Sequence, residues 1–171
     1  MNKLYLCNCG KAHSHDFLFF VLKTFYGITA DESSLCKTNF GKLYIDNCPI
    51  KFNVSHSNEL FVIAVGDSEL GVDVEQLREK DFSRTSSKYF GNEPKTVEEF
   101  FILWTKAESL VKYMANSILL SLKKIEIIGD DFLYEGERQL VKSKTQLFGN
   151  YVISLTSATP DFEIIEINNF E

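Results

Sequence analysis

This chain of 171 residues has little of what extracellular, fibrous or membrane-spanning proteins need. Its four cysteines (Cys7, Cys9, Cys36, Cys48) are too sparse for a disulfide framework, so reduced thiols are expected. Three prolines and nine glycines exclude collagen-like and low-complexity classes. No apolar run approaches the roughly 20 residues of a membrane span. The longest near the start, residues 17–22, is flanked by Asp16 and Lys23. The first residues show neither a long signal-peptide core nor a small-residue cleavage site, so a cytoplasmic location is expected. Basic residues are outnumbered, 18 to 24, for a net charge of −6. That argues against general nucleic-acid binding, which needs a basic face, but leaves room for a local cationic pocket that takes a phosphate.

What is present is globular. Hydrophobic residues make up 44% and charged residues 25%, with 15 Phe, 7 Tyr and one Trp. That is enough apolar surface for a dense core, and it excludes intrinsic disorder. The length suits one domain, or two small lobes sharing a core. Residues 4–6 read as a short strand. Residues 14–26 read as a helix, because Phe17, Leu18, Val21, Leu22 and Phe25 recur at helical spacing and Gly27 follows as a stop. Residues 42–45 and 50–54 read as short strands around a turn at Asp46-Asn47. Residues 60–65 and 71–75 are the clearest strands, and Gly66-Asp67-Ser68-Glu69 between them has hairpin chemistry. Val62, Ala64, Val72 and Val74 take one face of these strands, Asp73 and Glu75 the other. Residues 82–89 suggest a helix and 98–114 a stronger one, with Phe101, Leu103, Trp104, Leu110, Val111 and Met114 on its apolar face. Residues 125–128, 146–155 and 162–167 read as a late antiparallel meander. The expected class is α+β with antiparallel sheets, in two halves joined near residues 75–81.

Three polar stretches stand out. Phe52-Asn53-Val54-Ser55-His56-Ser57 ends a strand in small polar groups around one histidine. Hydroxyls, backbone N–H groups and an imidazolium make a phosphate cradle; an ordinary polar turn has the same composition. Gly71-Val72-Asp73-Val74-Glu75 puts two carboxylates on one sheet face, where like charges repel unless a cation or proton sits between them. Such oxygen ligands suit Mg²⁺, although the polar face of an edge strand shows the same pattern. In Trp104-Thr105-Lys106-Ala107-Glu108-Ser109-Leu110-Val111-Lys112, Glu108 and Lys112 stand at i and i+4 on one helix side. Alone, that is the pattern of a surface ion pair.

Order and spacing across all three stretches resemble the 4′-phosphopantetheinyl transferases of the surfactin-synthetase-activating (Sfp-like) type. Phe40-Gly41-Lys42 with Tyr44-Ile45, Tyr89-Phe90 with Glu93, and Phe100-Phe101 ahead of Trp104 continue the match, in order from Phe40 to Lys112. The resemblance implies two similar α+β lobes, residues 1–75 and 76–171, each an antiparallel sheet packed with helices, with the active site in the cleft between them. It implies transfer of the phosphopantetheine arm of coenzyme A to a serine of an apo acyl or peptidyl carrier protein, with release of 3′,5′-adenosine bisphosphate. A monomer is expected by the same analogy, and the charge balance and apolar run lengths above lead to the expectation of neither a nucleic-acid nor a membrane partner. Mg²⁺ falls to Asp73, Glu75 and Glu108. Coenzyme A falls to Lys42, Ser55, His56 (on the 3′-phosphate) and Lys112 (on the pyrophosphate). Glu108 and Lys112 are the candidate catalytic residues, Glu108 or a metal-bound water taking the proton of the carrier serine.

The sequence also departs from the family. Ala107 stands where the family has lysine, and Lys106, one residue earlier, points about 100° away on a helix. Leu43 replaces the proline of the family's Gly-Lys-Pro turn. Only 40 residues precede Gly41, so basic residues near the start of longer members have no clear counterpart; Lys11, Lys23 and Lys37 are the alternatives. A binding protein without catalysis is therefore the competing reading. Cys7-x-Cys9 with His13-x-His15 is a second metal pattern, suited to Zn²⁺ in ligand type though not in a common finger spacing. Lys123-Lys124 suits either an acidic carrier protein or a solvated loop.

Overall fold

The computed structural model describes residues 1–10, 13–79, 81–90 and 94–170. Lys11 and Glu93, singled out above, lie outside the described residues. Chain order is β1 (Asn2–Asn8), α1 (Ser14–Tyr26), β2 (Leu35–Lys37), β3 (Leu43–Ile45), β4 (Lys51–Ser57), β5 (Leu60–Gly66), β6 (Leu70–Gln76), α2 (Ser83–Tyr89), α3 (Val97–Tyr113), α4 (Ile118–Ser121), β7 (Ile125–Ile128), β8 (Asp131–Tyr134), β9 (Glu137–Phe148), β10 (Tyr151–Ser157) and β11 (Phe162–Glu166). The strands form a four-stranded sheet in the order β11-β1-β5-β4, a five-stranded sheet in the order β6-β10-β9-β8-β7, and the small pair β2-β3.

Side-chain periodicity explains the layers. Leu4, Leu6, Leu60, Val62 and Ala64 of the first sheet meet Leu70, Val72, Val74, Ile153 and Leu155 of the second in one buried cluster. Because strand side chains alternate, the residues between them serve the opposite faces. Tyr5, Phe61, Ile63 and Val65 pack on Phe17, Leu18, Val21 and Leu22 of α1. That helix ends at Gly27, whose φ of 68° is the left-handed conformation, with its N–H on Lys23 O and the Ile28 N–H on Leu22 O. Glycine enters this region without a Cβ penalty, so it is the natural stop. Phe25, expected on the core stripe, is instead 41% exposed, with its ring 4.7 Å from that of Tyr5. The opposite face of the second sheet carries α3, which lies across β6 and β10.

Three further sequence expectations are corrected. Gly66-Asp67-Ser68-Glu69 does not close a hairpin: it carries the chain from the first sheet to the edge of the second, where β6 pairs with β10 (Asp73 opposite Ser154). The other edge of β6 is closed by side chains of β4. Val72 N–H donates to Asn53 Oδ1 (2.8 Å), Val74 N–H to Ser55 Oγ (3.3 Å) and Gln76 N–H to Ser57 Oγ (3.0 Å). Alternate polar side chains thus satisfy the donors that a neighbouring strand would otherwise take. Residues 146–155 are not one strand, because Gly149 at φ 56° turns the chain between β9 and β10. Finally, β11 leaves the expected meander and pairs parallel with β1 (Leu4 opposite Ile164), so the first sheet is mixed. The sheets exchange strands across residue 75, β6 serving the second and β11 the first.

Candidate functional site

Gly71, Asp73 and Glu75 share the face of β6 opposite Val72 and Val74, and α3 lies on it. The approach is backbone to backbone. A Cβ on Gly71 would stand 2.1 Å from Ser109 O and 2.3 Å from Tyr113 N. Two buried hydroxyl pairs fix the rotation of α3 over the sheet: Thr105 Oγ1 with Ser154 Oγ (2.8 Å) and Ser109 Oγ with Thr156 Oγ1 (2.7 Å). Its start is fixed by Thr96, whose Oγ1 accepts from Glu99 N–H at 3.1 Å. With Thr105 and Ser109 against β10, the i, i+4 pair Glu108 and Lys112 turns to the β4–β6 edge.

There the three acidic residues meet one lysine. Lys112 Nζ lies 2.7 Å from Asp73 Oδ1 and 2.8 Å from Ser55 Oγ, and Ser55 Oγ donates to Asp73 Oδ1 at 2.9 Å. Asp73 is 3% exposed, and its second oxygen, Oδ2, has no hydrogen-bond partner among the described residues. Ser57 Oγ donates to Glu75 Oε2 at 2.9 Å. Burial raises the Glu75 carboxyl above the ordinary carboxylate range, against the Ser57 bond, and the Asp73 charge adds to it. Burial and then the Asp73 carboxylate push Glu108 up to about 8, with Lys112 pulling against them and Glu75 adding its repulsion. The carboxyls are therefore close enough to repel, with one ammonium among them.

A buried, unpartnered carboxylate oxygen beside two carboxyls that resist ionising is a donor set that suits a hard divalent cation. Among the described residues, no three or more His, Cys, Asp or Glu side chains form a ready-made metal cage. The Lys112 ammonium holds the other oxygen, Oδ1, so a cation at Oδ2 would stand against its charge.

The residues expected to hold coenzyme A separate into two groups. Lys42 and Lys112 both line an open pocket of about 360 Å³ between residues 40–43, Asn53 and Val54 of β4, and the chain from Val111 to Leu119. Lys42 is half-buried, with Nζ bonded to Glu69 Oε1 and to Leu70 O at 2.9 Å; burial lowers its affinity for its proton and Glu69 opposes that. His56 is exposed on β4, two residues along the same face from Val54, with its ring 6.4 Å from that of Phe61. Ser55 points to the other face, 6% exposed, its hydroxyl engaged by Asp73, Lys112 and Val74.

Ala107 lies fully buried among Leu110, Val111, Leu122, Ile125, Phe132 and Val141. Lys106 turns away, its Nζ 2.7 Å from both Gly129 O and Asp130 Oδ1. Of the zinc pattern, Cys7, Cys9 and His13 line one pocket, but His15 Nδ1 is 2.7 Å from Glu32 Oε1. Burial raises both thiols, Cys9 to about 12, which disfavours the thiolates that zinc requires. Lys124 is paired with Glu135 at 2.6 Å. Sequence reasoning missed Asn53 and Ser57 as bridges to β6, and Thr105 and Ser109 as the anchors of α3. The period-two spacing of Asn53, Ser55 and Ser57 was the available signal; the partners of Thr105 and Ser109 lie nearly fifty positions away.

No protein-family model matches the chain. It is 30% identical over 100 residues to the 4′-phosphopantetheinyl transferase gsp of Aneurinibacillus migulanus, a match covering 53% of this chain and 42% of that protein. It is 26% identical over 163 residues to a 4′-phosphopantetheinyl transferase of Bacillus subtilis, covering 85% of this chain and 73% of that one. The chain thus spans less than half of the first relative and about three quarters of the second. In sequence, the chain is similar to these two 4′-phosphopantetheinyl transferases.

Proposed function

We propose that the chain transfers the 4′-phosphopantetheine group of coenzyme A to a serine hydroxyl of an apo acyl or peptidyl carrier protein, releasing 3′,5′-adenosine bisphosphate. What supports this reading is the electrostatic coupling of Glu108 with Asp73, Glu75 and Lys112, beside a pocket that Lys112 and Lys42 line together. The two lobes, 1–75 and 76–171, are then built on the two sheets, each lending the other one strand (β6 and β11), and the β4–β6 edge is the floor of the cleft.

The reaction forms a bond from the serine oxygen to the β-phosphorus of the pyrophosphate and breaks the bridging bond to the adenosine bisphosphate. Such transfers depend on positioning and electrostatics rather than on covalent help from the protein. Lys112 stabilises the charge that develops on the leaving phosphate. Lys42 and His56 hold the coenzyme's other phosphate and nucleotide groups, while Ser55 positions Lys112 and Asp73. Asp73, Glu75 and Glu108 would hold Mg²⁺, which when bound neutralises the pyrophosphate oxygens. Glu108, beside the cation and Lys112, is the group placed to accept the serine proton. The reading places the protein in the cytoplasm as a monomer.

The test is to incubate the protein with coenzyme A, Mg²⁺ and a panel of apo carrier proteins and weigh the carriers. Transfer adds about 340 Da to one serine. No gain on any carrier, with coenzyme A still bound, would establish the competing reading of a binding protein.

A further inference from the structure

Lys112 stands between a buried carboxylate and an open pocket. Its ammonium is bonded to Asp73 Oδ1 and Ser55 Oγ, and its side chain also lines the pocket beside residues 40–43. The other cations near α3 and β6 are committed elsewhere: Lys42 to Glu69 and Leu70 O, Lys106 to Gly129 O and Asp130, while Arg78 acts on Glu75. Lys112 is therefore the counter-ion of Asp73, on the oxygen adjoining the one that has no partner among the described residues.

We propose that Lys112 is an exchangeable counter-ion: a divalent cation entering at Asp73, Glu75 and Glu108 displaces its ammonium, which the adjoining pocket then presents to the coenzyme's pyrophosphate. This rests on the reading of the three carboxylates as cation ligands. Cation binding is then an exchange rather than an addition, and its cost includes breaking the Lys112–Asp73 bond. A pyrophosphate that takes up the ammonium lowers that cost. Cation and coenzyme therefore favour each other's binding by the same factor, as linkage requires.

Calorimetric titration of Mn²⁺ into the full chain, without coenzyme A, tests the exchange. Lys112→Met removes the competing ammonium; Ser55→Ala removes its brace without changing any charge. Both variants should bind Mn²⁺ more tightly than the native chain, by about fivefold or more for Lys112→Met, a gain that Coulomb attraction at such distances readily supplies. In Lys112→Met, the factor by which Mn²⁺ and coenzyme A enhance each other should shrink. Melting curves confirm that each variant is folded, and either folded variant suffices. If the native chain binds Mn²⁺ and the folded variants bind it no more tightly, the exchange is refuted while the three-carboxylate site stands. If neither native nor variant protein binds Mn²⁺, both fail together.

Discussion

Replacing Gly71 with alanine probes how the site is assembled without touching a group that contacts a ligand. The new Cβ would lie 2.1 Å from Ser109 O and 2.3 Å from Tyr113 N, both backbone atoms of α3. Neither can rotate aside, so the helix must lift from β6 by about 1 Å to restore normal contact. Overpacking of this kind costs about 1–3 kcal/mol. The lift also moves Glu108 and Lys112 from Asp73 and strains the hydroxyl pairs to Ser154 and Thr156. A misplacement of about 1 Å in a reacting constellation lowers turnover by about a hundredfold. Chemical denaturation and the carrier-labelling assay measure the two effects. Gly71→Ala with native stability and native turnover would refute the claim that backbone contact between α3 and β6 sets the site.

Glu108 gives a pH dependence of defined sign. Its carboxyl is held at about 8 in the fold against an ordinary 4.5, so the native state keeps a proton that the unfolded state has lost. Stability of the cation-free protein is therefore expected to fall as pH rises from about 5 to 8, and Glu108→Gln to flatten that slope in melting curves. Lys106→Met, on the side of α3 away from Glu108, should lower stability by about 1–2 kcal/mol through loss of the Gly129 and Asp130 bonds, with transfer rates unchanged. Asn53→Ala leaves the buried Val72 N–H without an acceptor, and denaturant titration should show a loss of about 1–3 kcal/mol.

How much of this was legible in the sequence depended on how local each signal was. The bounds of α1 follow from the stripe Phe17, Leu18, Val21, Leu22 and the stop at Gly27, all within one stretch of chain. The facing of Asp73 and Glu75 away from Val72 and Val74 follows from strand alternation. The fate of the Gly66–Glu69 turn could not be read locally. Whether a turn closes a hairpin depends on which partner satisfies the next strand, and β6 finds Ser154 on β10 and the side chains of β4 instead. The parallel docking of Phe162–Glu166 on β1 is equally non-local. At the site, the bond from Lys112 to Asp73 crosses thirty-nine positions and, like the enclosure of Ser55 and Ala107, needed the packed structure.

The claim on which the rest depends is that Asp73, Glu75 and Glu108 gather one divalent cation. A crystal soaked in Mn²⁺, with anomalous scattering to locate the ion, tests it directly. The expected result is a single peak among these three side chains, with carboxylate oxygens at about 2.1 Å and Lys112 moved off Asp73. A fully occupied Mn²⁺ elsewhere in the molecule, with Lys112 still bonded to Asp73, would contradict it.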